Sequence, residues 1–102
     1  MEIILHTEVQ EFVSSLEKQA YAKTLKNICL LEKFGFNLGM PHSKNISKGL
    51  FELRVKGQQE VRIFYCFYNK QIHLLCGFIK KTRKTPQKEL KRAIRKYKEL
   101  SG

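Results

Sequence analysis

The chain has 102 residues, enough for one domain with a single modest core. Its 42% hydrophobic content is too high for a disordered chain, and its 20 Lys and Arg against 9 acids, all glutamate, give a formal charge of +11. That surplus points to a polyanionic partner, and the lack of aspartate argues against a carboxylate–Mg²⁺ nuclease.

Met1–His6 carries an acid where a secretory signal needs basic residues, and nothing nears the ~20 apolar residues of a membrane span. A cytoplasmic protein without membrane contact is expected. Ile3 to Leu5 read as a buried first strand. Thr7-Glu8-Val9-Gln10 resembles a capping box with Thr7 as N-cap, followed by Val9, Phe12, Val13 and Leu16 at helical spacing. A second helix is expected from about Gln19 to Phe34-Gly35, with Tyr21, Leu25, Ile28, Cys29 and Leu31 as its apolar residues. Residues 35–49, rich in Gly, Asn and Ser, read as a loop.

The period then becomes strand-like. Leu50–Lys56, Val61–Tyr68 and Gln71–Ile79 are three expected strands, with turns at Gly57-Gln58 and Asn69-Lys70. A basic connector, Lys80–Thr85, leads to a last helix with Thr85 as N-cap and Pro86 at its first position. Leu90, Ala93, Ile94 and Tyr97 form the apolar face of that helix. The fold class is α+β, in the order β-α-α-β-β-β-α, with an antiparallel sheet packed on two N-terminal helices and a C-terminal amphipathic helix.

Charge is segregated along the chain. Residues 1–32 hold five Glu and three Lys, whereas residues 33–102 hold 17 basic groups and four Glu. Cys29, Cys66 and Cys76 lack ligand spacing and read as small buried residues of a reducing compartment. His6, His42 and His73 read as isolated from one another, so no metal and no cofactor is expected.

Hairpin arithmetic places the cations. A turn centred on Gly57-Gln58 makes opposed residue numbers sum to about 115 or 116, and one near Asn69-Lys70 makes them sum to about 139 or 140. In the even registers Arg54, Arg62 and Lys80 share one face of three adjacent strands, with Lys56 at the edge and Lys81, Arg83 and Lys84 following in the connector. Like charges directly opposed cost a sheet tenths of a kcal/mol, up to about 1. Either an anion neutralises the cluster, or the residues stand on a solvated face screened by Glu52 and Glu60. Residues 80–98 add ten basic groups and one Glu, suited to a phosphate backbone or an acidic protein. Tyr68 shares the parity of Arg62 and is a candidate for stacking on a base, with packing at the turn as the alternative. His42, in the long loop, is a candidate RNA contact and proton donor.

Three stretches carry a family likeness: Gly49–Arg54 (GLFELR), Val61–Tyr65 (VRIFY) and Ile72–Pro86 (IHLLCGFIKKTRKTP). In this order they resemble the phage-derived HigB-like branch of the RelE/HigB-type toxins of type II toxin–antitoxin systems. The likeness runs over residues 49–97, and before that only through element order. It implies a RelE-like fold forming a single domain over residues 1–102. The activity it implies is a metal-independent endoribonuclease that cuts messenger RNA on the ribosome and inhibits translation. Family basic strand residues match Arg54 and Arg62, and those at the end of the last strand match Lys80 and Lys81. Arg54 and Arg62 would grip the scissile phosphate, and Lys80 or Lys81 would move a proton. Relatives with a tyrosine or histidine after the last strand are not matched at Pro86-Gln87. The implied partner is a cognate antitoxin of helix-turn-helix type, docking on the basic face or the last helix. Two readings of other classes stand beside this one: a superfamily toxin that poisons DNA gyrase, and an RNA-binding module that cuts nothing.

Overall fold

The computed structural model describes residues Met1–Gly102. Five strands, β1 (Glu2–Leu5), β2 (Ser43–Ser47), β3 (Leu50–Val55), β4 (Val61–Tyr68) and β5 (Gln71–Ile79), join three helices, α1 (Thr7–Ser14), α2 (Lys18–Phe34) and α3 (Gln87–Ser101). The sheet order is β1-β5-β4-β3-β2. The chain is therefore α+β as expected, but the sheet is mixed, because β1 runs parallel to β5.

Strand alternation divides the side chains between two cores. On one face Leu53, Val55, Val61, Ile63, Tyr65, Ile72 and Leu74 meet Val9 and Val13 of α1 and Ala20 and Leu31 of α2. On the other, Leu50, Phe64, Cys66, Leu75, Cys76 and Phe78 meet Ala93 of α3, flanked by Leu90, Ile94 and Tyr97. Helices thus cover both faces, and the strands lose the clean polar alternation of a sheet with one face in water. Fully burying an aliphatic or aromatic side chain contributes about 1.5–3 kcal/mol, so both layers are held mainly by this apolar area.

Both register sums occur. Val61 to Phe64 pair with Ile79 to Cys76, summing to 140, and Tyr65 to Tyr68 pair with Leu74 to Gln71, summing to 139. A bulge between Phe64 and Tyr65 makes the change and lets Leu75 and Cys76 both enter the α3 core. The β4–β5 turn puts Asn69 and Lys70 at φ 52° and 60°, the twist a two-residue hairpin requires.

Several expectations are corrected. The 35–49 segment is not all loop: it holds a 3-10 turn, Gly35–Asn37, and the edge strand β2. SKNIS offers only Ile46 as an apolar residue, and β2 is fixed by pairing with β3 and by the buried Ser43 hydroxyl against the Tyr65 hydroxyl. The capping box does not form. His6 is the N-cap of α1, and Gln10 Nε2 instead donates to Leu5 O at 3.1 Å. At α3 the cap position falls to Pro86, which has no side-chain acceptor, and not to Thr85. Cys66 and Cys76 are buried, with thiols pushed up to about 11 by burial, but Cys29 is exposed on α2.

Candidate anion-binding site at one end of the sheet

The end of β3, the start of β4 and the end of β5 lie side by side. Arg54 pairs directly with Arg62. The Lys80 amide donates to Glu60 O at 2.8 Å, so the backbone of Lys80 continues the β4–β5 ladder. The sheet therefore brings Arg54, Arg62 and Lys80 to one end, from three adjacent strands.

The opposed arginines are reconciled inside the protein. Glu52, 1% exposed, shares their face; its Oε1 accepts from Arg54 Nε at 3.0 Å and lies 3.8 Å from Arg62 Nε. Glu60 Oε1 stands 3.6 Å from Arg62 Nη2, and Arg62 Nη1 donates to Val61 O at 3.2 Å. The expectation of a solvated, screened face holds only in part: Glu52 and Glu60 do screen the cluster, but the face is not solvated, since Arg62 is only 5% exposed. The two arginines differ as a result. Arg62 is enclosed among carboxylates, whereas the Arg54 side chain keeps 18% exposure and makes its one side-chain hydrogen bond through Nε. A guanidinium held at Nε presents its terminal N–H groups as a fork suited to phosphate.

Lys80 is half-buried, and Lys81, Arg83 and Lys84 are exposed. None of these four is in an ion pair; the carboxylates Glu8 and Glu89 instead engage Arg92 and Lys96 of α3. Thr82 Oγ1 donates to Lys84 O at 3.0 Å and tightens the connector.

His42 and Lys56 come together elsewhere. With Arg54 they line a cleft of about 280 Å³ between α2 and the end of β3. Lys23 and Lys26 complete its positive wall. Sequence reasoning missed both, because they lie in the net-acidic first third; the available signal was their i, i+3 spacing with Asn27 and Leu30 on one flank of α2.

Tyr68 is not brought to this end. It lies six residues along β4 from Arg62, about 20 Å away at strand rise, is 40% exposed, and neighbours His73 at 6.2 Å between ring centroids. The histidines are also not all isolated. Parallel pairing sets Ile4 opposite His73, and His6, two residues on and on the same face, lies diagonal to it, with Nε2 and Nδ1 3.1 Å apart. Desolvation lowers both pKa values, and at His6 the facing His73 and Lys96 lower it further.

Compared with known families, residues 11–98 match the model described as phage derived protein Gp49-like (DUF891). No curated protein matches the chain. No helix is long and apolar enough to cross a membrane.

Proposed function

The chain belongs to the Gp49-like family of phage-derived proteins, and from that premise and the geometry of the site we propose that it is the toxin of a toxin–antitoxin system that cuts messenger RNA. Family membership is compatible with a toxin. The observation that carries the nuclease reading is Arg54, held at Nε by buried Glu52 at the end of a sheet where Lys80 and Lys81 are unpaired.

In this reading the RNA 2′-hydroxyl attacks the adjacent phosphorus, the P–O5′ bond breaks, and a 2′,3′-cyclic phosphate and a 5′-hydroxyl end result. Arg54 grips the non-bridging oxygens and stabilises the charge gathering there. Arg62 is a positioning residue: it neutralises Glu52 from behind and holds its carboxylate in place. Lys80 or Lys81 takes the proton from the 2′-hydroxyl or gives one to the leaving O5′, and water carries the other of these two transfers. An antitoxin segment of acidic character would silence the toxin by occupying the same cations.

Mapping of mRNA 5′ ends after induction tests the reading. Growth arrest with new 5′-hydroxyl ends inside translated frames is expected. Arrest with DNA breaks and intact message would overturn it in favour of a gyrase poison, and binding without arrest would leave an RNA-binding module.

A further inference from the structure

We propose that the cleft between α2 and the end of β3 is a nucleotide-phosphate subsite, filled by a phosphate of single-stranded RNA flanking the one held at Arg54. Only the source of the phosphate rests on the RNA-cleaving reading.

The cleft exists because β2 stops short. Its pairing with β3 begins at Ser43 opposite Leu53, so from Arg54 onward the edge of β3 has no strand partner. Two hydrogen bonds of 2.8 Å hold the walls against that edge: Arg54 N donates to His42 O, and Asn27 Nδ2 donates to Arg54 O. Loop, helix and strand are thus fixed relative to one another before any ligand arrives. Lys23, Lys26, His42, Arg54 and Lys56 line the space, and no glutamate does. Lys23, Lys26 and Lys56 enter no ion pair. Lys23 Nζ lies 3.1 Å from where a Cβ on Gly57 would stand, so this lysine spans from α2 to the β3–β4 turn.

Three lysines therefore line one concavity with no carboxylate among its lining residues and none within ion-pair distance of them. A single carboxylate would leave most of the charge unanswered; a phosphate with its several acceptor oxygens answers it. Size narrows the class further. About 280 Å³ lies at the lower limit of small-ligand pockets, room for one nucleotide unit and too little for a duplex. Leu30, Pro41 and Val55 supply an apolar wall for ribose or base.

The test uses three probes on the intact chain: inorganic phosphate, a nucleoside monophosphate, and a short 2′-O-methyl RNA that cannot be cleaved. Phosphate and the monophosphate should perturb the NMR signals of His42 and Asn27 in preference to others. Lys23→Ala with Lys26→Ala should weaken binding of the RNA roughly 10-fold or more and reduce its log K against log salt slope by about 0.7, the share of one phosphate contact on a single strand. Lys18→Ala with Lys33→Ala, which removes equal charge from the same helix outside the cleft, should change neither by as much. Equal effects of the two pairs would overturn the proposal. Loss of monophosphate binding with RNA affinity unchanged would overturn RNA as the source. Because the RNA probe has no free 2′-hydroxyl, these outcomes are independent of whether the protein cleaves.

Discussion

Glu52 is the residue on which the cationic end depends. It is buried between two guanidinium groups, and its Oε2 has no hydrogen-bond partner within the protein. Breaking a buried charge set by removing one partner costs about 3–5 kcal/mol, because the remaining charges stay desolvated. Glu52→Gln should therefore lower the urea unfolding free energy by about 3 kcal/mol, whereas Glu60→Gln, at the more exposed partner, should cost under about 1. Equal losses would contradict the asymmetry. The His6–His73 pair sets a pH response. Both pKa values are lowered in the folded chain, so the unfolded chain binds protons first as pH falls. Stability from this pair is complete above the ordinary value of 6.5 and is lost as pH drops through it toward the lowered folded values. Denaturation midpoints should be flat from pH 8 to about 7 and decline below; a His73→Gln variant should show a shallower decline between about pH 6.5 and 5.

At the scale of elements, the sequence was most legible where period and turn chemistry agreed. β4 and β5 run over the residues expected, because two nearly continuous apolar runs are separated by Asn69-Lys70, a pair able to adopt positive φ. The convergence of Arg54 and Arg62 followed from that arithmetic. β2 was not legible, since an edge strand of Ser, Lys and Asn looks like loop until its partner is known. The enclosure of Arg62 was hidden for a related reason: it depends on how closely Glu52 and Glu60 approach it across and along the strands, which no local pattern records. Gly77 shows the same limit. It lies inside β5 without a side chain to pack, yet a Cβ there would meet Phe12 Cδ2 at 2.5 Å, so glycine is what admits α1 onto the sheet. Gly77→Ala should destabilise by about 1–3 kcal/mol through overpacking. Adding Phe12→Leu should recover part of the loss, a coupling measurable in a double-mutant cycle.

Across the whole molecule, charge segregation in sequence and in space are different things. The acidic first third supplies Glu8, which engages Arg92 and Lys96 and ties α3 to α1. The same third supplies Lys23 and Lys26 to the cleft. Of the ten basic residues in 80–98, only Arg92 and Lys96 are in ion pairs, and the remaining field stays available to a polyanion. Binding of RNA should accordingly fall steeply with salt, by about 0.7 in log K per log unit for each phosphate contacted. The central claim places the scissile phosphate at Arg54. Its most direct test is the single-turnover cleavage rate of a translated message by Arg54→Ala beside the parent, at matched folded protein and saturating toxin. The account predicts a loss of about 10²- to 10³-fold with the cut positions unchanged; an Arg54→Ala protein that cuts as fast as the parent would contradict it.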